Sequence, residues 1–275
     1  MTNIRWTDQV WNPVRGCSVV SPGCTNCYAM RIAHRFNGPG QPYEGLTKVA
    51  NGRPVWTGEV RLVPEKFQDP FHWAKPRRVF VNSMSDLFHE DVPFEFIDKV
   101  FDVMTQCDWH KFQVLTKRPE RMRQYMEGYC KCSGYHRDNY NQWARICAKN
   151  VWLGVSVEDQ KRADERIPVL LDTPASLRFL SCEPLLGPVN LAPYINETVS
   201  FMQSGTRVRR IEKALHWVIV GGESGPRRRP MDLDWARQIR DECRAAGTDF
   251  YFKQTGGSRS ETGQLLDGAR WEQMP

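Results

Sequence analysis

Several absences narrow the field first. No apolar run approaches the roughly 18 residues that a membrane-spanning helix needs, so no transmembrane segment is expected. The opening residues, Met1-Thr-Asn-Ile-Arg-Trp-Thr-Asp8, lack an apolar signal core. Secretion is therefore not expected, and a cytoplasmic location is. There is no Gly-x-Ser-x-Gly elbow and no Walker phosphate loop, and the six histidines show no metalloprotease spacing. Nucleophilic hydrolase, P-loop and zincin chemistries are thereby disfavoured. A glycine-rich dinucleotide fingerprint, internal repeats and low-complexity tracts are missing too.

What is present begins with cysteine. Nine cysteines in a chain without a signal core favour reduced thiols and metal ligation over a disulfide framework. Three of them, Cys17, Cys24 and Cys27, form a C-x6-C-x2-C cluster near the start. A closed structural zinc site takes four ligands, whereas three thiolates leave one metal coordination position open for something else. A second group, Cys130, Cys132, His136 and Cys147, is a candidate for a small zinc site, with unpaired thiols the competing reading. Cys107 and Cys243 fall within expected helices and read as buried thiols.

The 275 residues carry a net charge of +6. Lys75-Pro-Arg77-Arg78, Arg207-Val-Arg209-Arg210 and Arg227-Arg228-Arg229 suit contact with phosphates, or else form a solvated basic face.

Short apolar runs alternate with helical periodicity. Strands are expected over 78–82, 111–116, 151–156, 177–181, 217–221 and 249–253, with a weaker one over 58–63. Helices are expected over 93–107, 118–127, 159–171 and 232–246, the last between Asp232 and Gly247 as start and stop signals. Several strands are continuously apolar, as in a parallel sheet covered on both faces. This pattern predicts an α/β fold, a full or partial parallel (β/α) barrel in one domain spanning 1–275. Residues 37–54 read as a loop or lid, and 128–150 as an insertion.

Each expected strand passes into polar or ionisable residues at its C-terminal end, the edge where parallel barrels build active sites. These ends supply Ser83 and Asp86, Thr116 and Lys117, Ser156 and Glu158, Glu183, Glu223, and Lys253. Glutamates accept from an amine or from ribose hydroxyls, lysines bind carboxylates, and Gly221, Gly222 and Gly225 admit close backbone approach. The set suits a zwitterionic or nucleoside-bearing ligand. For any single glutamate, an ion pair with a neighbouring cation is the competing reading.

A three-cysteine loop ahead of a parallel α/β barrel resembles the radical S-adenosylmethionine enzymes. The runs Trp11-Asn-Pro-Val-Arg-Gly-Cys17, Phe80-Val-Asn-Ser-Met-Ser-Asp-Leu-Phe-His89, Val114-Leu-Thr-Lys-Arg-Pro119 and Ser181-Cys-Glu-Pro-Leu-Leu-Gly187 are further similar to a phage-associated family of three-cysteine proteins. The first resemblance implies a barrel of the radical S-adenosylmethionine type and a [4Fe-4S] cluster on Cys17, Cys24 and Cys27. It also implies S-adenosylmethionine as cofactor, an electron donor as partner, and a 5′-deoxyadenosyl radical. Tyr28, Ser83, Asp86, Thr116, Lys117, Ser156 and Glu158 would then line the cofactor side, and Glu183, Glu223 and Lys253 would be catalytic or face substrate. Nucleic acid or a nucleotide is the substrate class the phage setting and basic balance suggest. Two departures stand out: six residues rather than three separate the first two cysteines, and Gly221-Gly222-Glu223 falls late in the chain. The competing function is a non-catalytic, zinc-organised nucleic-acid-binding phage protein using the same cysteines with His34 or a distant fourth ligand.

Overall fold

The computed structural model describes residues 4–129, 149–203, 206–258 and 262–275. The strands are β1 Gln9–Trp11, β2 Val14–Arg15, β3 Thr47–Ala50, β4 Arg53–Trp56, β5 Arg61–Leu62, β6 Arg78–Val81, β7 Lys111–Thr116, β8 Val151–Ser156, β9 Leu177–Cys182, β10 Asn196–Gln203, β11 Thr206–Lys213, β12 Trp217–Gly221 and β13 Asp249–Gln254. The α-helices are α1 Tyr28–Arg35, α2 Phe94–Gln106, α3 Pro119–Gln124, α4 Gln160–Asp172 and α5 Leu233–Ala246.

The fold is α/β. Seven strands form one sheet in the order β1-β6-β7-β8-β9-β12-β13, and every register recorded within it is parallel. The order follows the chain without reversal. A doubly wound sheet reverses at a switch point, whereas a singly wound one keeps its crossovers on one side, as a barrel does. β1 and β13 are the two edges of the order, so the sheet is open. No helix among the described residues is long and apolar enough to cross a membrane.

All six expected main strands form. Their apolar runs are largely buried: Val218, Ile219 and Val220 in β12 have no exposed surface, β8 is buried at every position, and in β7 Leu115 is half-buried. Sandwiching of both faces removes the usual alternation. The helices follow their signals. Asp232 caps α5 by accepting from the Asp234 amide at 2.9 Å, and Gly247 ends it in the left-handed region at φ 68°.

Four features depart from the expectations. The first sheet strand is β1, a three-residue segment paired in parallel with β6. Residues 58–63 contribute only β5, which pairs antiparallel with β2 outside the main sheet. The expected 37–54 loop contains β3 and the start of β4, an antiparallel hairpin turned by Asn51 and Gly52, both at positive φ. β10 and β11 form a second antiparallel hairpin. The expected insertion at 128–150 and its Cys130, Cys132, His136 and Cys147 lie, apart from its first and last residues, outside the described residues.

The chain divides into two compact units. The first comprises Met1–Ser156 with Asp172–Leu177, and the second Val157–Leu171 with Arg178–Pro275. In the first, Val79, Val81, Val114, Ile97, Phe101 and Phe112 form the core between sheet and helices. In the second, Phe179, Trp217, Ile239, Phe250 and Phe252 do so.

Candidate functional site

In the first unit the cysteine loop is fastened to the end of β6. The Asn82 amide donates to Trp11 O at 2.7 Å, and its side-chain Oδ1 accepts from the Val14 amide at 3.2 Å. The Ser85 hydroxyl donates to Val14 O at 2.8 Å, and Gly16 bridges in parallel to Ser85. Gly16 sits at φ 86°, and a Cβ there would overlap the Glu59 carbonyl. Only glycine therefore lets the chain enter the loop by this route. A short 3-10 turn, Pro22–Cys24, with Cys24 N to Ser21 O at 2.9 Å and Cys27 N to Cys24 O at 3.2 Å, folds the loop back on itself.

This brings the three thiols into one electrostatic neighbourhood. Cys17, Cys24 and Cys27 are half-buried and none is in a disulfide. The Cys17 thiol pKa is pushed up to about 12, first by burial, then by the Asp86 carboxylate, with Cys27 and Cys24 adding and Arg118 opposing. Burial, then Cys24, raises the Cys27 thiol, while the Ala29 and Met30 amides at the start of α1 and the Lys117 ammonium pull it down. Burial therefore favours the protonated forms of Cys17 and Cys27, and a metal that binds them must displace those protons. Cys17 and Cys27 also pack on a small apolar cluster under α1, made of Ala29, Met30, Ala33, Leu46, Trp56 and Met84.

Asp86 is the hub of the next layer. Its buried carboxylate accepts from the Phe88 amide (3.0 Å), Thr116 Oγ1 (2.7 Å), the Lys117 amide (3.1 Å) and Arg118 Nη1 (3.0 Å). Four donors saturate it, so Asp86 and Thr116 organise the strand ends. Arg118 carries the connection onward. Its Nε donates to Glu90 at 2.8 and 2.9 Å, and its Nη2 donates to Ser18 Oγ at 2.6 Å. Burial works against the charged form of Glu90, but the Arg118 hydrogen bond overrides it and holds its pKa low. His89 Nδ1 accepts from the Asp91 amide at 3.2 Å, and its Nε2 lies 3.0 Å from Ser18 Oγ. Burial, then the Arg118 charge, lowers the His89 pKa. A neutral His89 accepting at Nδ1 carries its proton on Nε2 and donates to Ser18. Ser18 thus accepts twice, and its own hydroxyl proton is available to a third group beside Cys17.

Other expected residues meet here too. The Tyr28 hydroxyl donates to Ser83 O at 2.8 Å, and Ser83 Oγ donates to Asn12 Oδ1 at 3.3 Å. Lys117 stands within electrostatic reach of Cys27. Ser156 is buried at the end of β8. At the end of β6, Asn82 Nδ2 is buried with no hydrogen-bond partner among the described residues, a donor that a ligand or water would satisfy. Arg118, Ser18, His89 and Glu90 were not among the expected site residues. Arg118 and His89 fall in the runs Val114–Pro119 and Phe80–His89 that carried the resemblance, whereas Ser18 and Glu90 had no such signal.

In the second unit each expected glutamate has a cationic partner. Glu158 accepts from Arg166 Nη1 at 2.9 Å, with both side chains buried. Glu223 accepts from the Arg229 amide at 2.8 Å and from its Nη2 at 2.6 Å. Glu183 pairs with Lys253 at 2.8 Å, each side chain 15% exposed. Gly221 lies directly under the Glu183 side chain, and a Cβ at Gly222 would overlap the Thr255 carbonyl. Glu158–Arg166 is closed to solvent. Glu183–Lys253 retains access and offers one carboxylate and one ammonium side by side.

Among the described residues no three or more His, Cys, Asp or Glu side chains stand together as donors to a single metal ion. A [4Fe-4S] cubane asks for a different arrangement, since each of its thiolates bonds a separate iron. Three thiols carried on one loop, none of them in a disulfide, are the donor type that chemistry needs. Fold and site together define an α/β protein with a parallel sheet and a three-thiol loop fastened to the carboxyl end of β6. The chain belongs to the family described as Protein of unknown function (DUF5131), whose model matches residues 1–275. No curated protein and no solved structure matches the chain.

Proposed function

We propose that this protein is an iron–sulfur enzyme of the radical S-adenosylmethionine type, with a partial barrel of that type as its scaffold. The single observation that carries the reading is the gathering of Cys17, Cys24 and Cys27 on one loop fastened to a parallel strand end. Those three residues would hold a [4Fe-4S] cluster. When bound, the cluster supplies the electron and open iron site for cleaving S-adenosylmethionine to a 5′-deoxyadenosyl radical.

The chain's own residues hold, orient and shield. Arg118 and His89 fix Ser18 next to Cys17. Tyr28 and Ser83 close together over the same strand end, and Lys117 places a positive charge near Cys27. That charge suits the carboxylate of S-adenosylmethionine. In the second unit, Glu183 and Lys253 suit an amine or a zwitterionic group of a substrate. The net charge of +6 favours nucleic acid or a nucleotide as the substrate class.

The test is anaerobic purification and reconstitution with iron and sulfide. Expected are a broad absorbance at roughly 400 nm, iron and sulfide in near-equal amounts, and loss of both in Cys17→Ala, Cys24→Ala and Cys27→Ala. With dithionite and S-adenosylmethionine, 5′-deoxyadenosine accumulates. Colourless protein, or stoichiometric zinc with tight salt-dependent nucleic-acid binding, overturns the proposal in favour of the zinc-organised binder.

A further inference from the structure

We infer that the amino-terminal edge of the first unit's sheet carries a binding surface for single-stranded DNA, centred on Trp73 and Trp109. This deepens the nucleic-acid part of the reading above and rests on it for the substrate class, but it needs no cluster. The basic run Lys75-Pro-Arg77-Arg78 leads into β6 at the end opposite to Asn82 and the cysteine loop. Lys111 opens β7 beside it, in register with Arg78.

His110 draws this surface together. Its Nδ1 accepts from the Arg77 amide at 3.2 Å, so the neutral ring carries its proton on Nε2 and donates to Pro70 O at 3.1 Å. Burial lowers the His110 pKa and so favours that neutral form. The Lys111 amide donates to Arg77 O at 2.8 Å. The His110 ring centre lies 5.6 Å from that of Trp73 and 5.4 Å from that of Trp109. Two segments distant in the chain thus meet at one buried imidazole. Both are held firmly. Asn150 Nδ2 donates to the Met104, Cys107 and His110 carbonyls at 2.8, 3.4 and 3.2 Å, which pins the turn bearing Trp109. The 3-10 helix Pro64–His72 before Trp73 packs Phe67 on Phe96 of α2, ring centres 5.0 Å apart.

Ring chemistry and charge select the ligand. Trp109 is 42% exposed, and Trp73 is half-buried. Around them Lys75 and Lys111 are exposed and Arg77 is half-buried, while Arg78 is committed to Asp8 at 2.7 Å. Asp108 is the one acid in the segments 70–78 and 108–111. Rigid aromatic rings beside cations stack the bases and hold the phosphates of an unpaired strand, whereas duplex bases already stack on one another. Neither segment has a Ser, Thr, Asn or Gln to meet a 2′-hydroxyl, which favours DNA over RNA. Length sets the size of ligand. β7 has six residues and runs about 20 Å from this edge to Thr116 and Lys117 at the thiol end. A mononucleotide held at one edge cannot reach the other, so a surface here serves a substrate of polymer length.

The test follows the fluorescence anisotropy of a labelled oligothymidylate of about 12 nucleotides on the protein as purified, over a range of salt. Wild type should bind with an affinity that falls steeply as salt rises. Trp109→Ala, at an exposed position, should keep the wild-type Tm and weaken binding by about tenfold. Lys75→Ala/Lys111→Ala should weaken it most at low salt and reduce the salt slope by roughly 1.4, as loss of two phosphate contacts does. Lys48→Ala/Arg53→Ala, at exposed cations of the β3–β4 hairpin, should leave that slope unchanged. Absence of wild-type binding overturns the inference, as does equal binding by every variant. So does binding of the matching duplex or RNA that is about tenfold tighter. Loss of binding in Cys17→Ala but not in Trp109→Ala assigns the strand to the cysteine loop and also overturns it. Colourless protein defeats the iron–sulfur reading alone, while the anisotropy still decides this surface.

Discussion

Replacing Arg118 with methionine isolates the tie between the cysteine loop and the strand ends. The guanidinium is 6% exposed and reaches Asp86, Glu90 and Ser18 at once. Removing one partner of a buried ion pair costs about 3–5 kcal/mol. Asp86 keeps three other donors, at Phe88, Thr116 and Lys117. The lower end, about 3 kcal/mol, is therefore expected, a fall in Tm of roughly 6–12 °C for a chain of this size. Locally, the 2.6 Å bond to Ser18 is charge-assisted, and its loss is worth about 1.5–3 kcal/mol of loop anchoring. Opening of the loop should then become about tenfold more frequent or more. Alkylation of Cys17 in metal-free protein, followed by mass spectrometry, reads that opening, with Cys243 in the second unit as an internal reference. Arg118→Lys should keep part of the global stability, since an ammonium still offsets Asp86, yet alkylate almost as fast as the methionine variant because it lacks the guanidinium fork. If Arg118→Met melts like wild type and Cys17 alkylates at the wild-type rate, the network does not hold the loop and the reasoning fails.

Three further outcomes are expected. Gly16→Ala places a Cβ on the Glu59 carbonyl at a positive φ, and should cost about 2 kcal/mol or more with reduced yield of folded protein, measured by urea unfolding. Burial raises the Cys17 thiol to about 12, above its unfolded value near 9. Its stabilising contribution is therefore complete below about pH 9 and is lost as pH rises toward 12. Metal-free protein should weaken across that window, and Cys17→Ala should flatten the dependence. Glu183→Gln strands Lys253 and should cost about 1–3 kcal/mol. The double variant Glu183→Gln/Lys253→Met should recover most of that loss in a double-mutant cycle, and additive losses would show that the two side chains do not interact.

Much of the sheet was legible because burial on both faces writes itself into composition. Runs such as Trp217-Val-Ile-Val-Gly221 and Val151-Trp-Leu-Gly-Val-Ser156 have few other destinations. β1 was not legible: three residues between Asp8 and Asn12 carry no run, and only pairing with β6, about seventy residues on, makes them a strand. The β3–β4 hairpin had a local signal in Asn51-Gly52, a two-residue turn of positive φ, which the surrounding glycines and prolines obscured. α1 is short and follows the cysteine loop directly, so helical periodicity has little length to accumulate.

By itself the sequence determined that the fold is α/β, that strand ends bear polar groups, and that three thiols lie within one short loop. These properties are local: apolar runs, turn residues and cysteine spacing act over a few positions. Tertiary structure alone decided which polar groups are already committed. It paired Glu158 with Arg166, Glu183 with Lys253 and Glu223 with Arg229, and it brought Arg118 to Ser18 across 100 positions of chain. A buried charge must find a partner wherever the fold places one, and that partner is set by strand order and not by sequence neighbourhood.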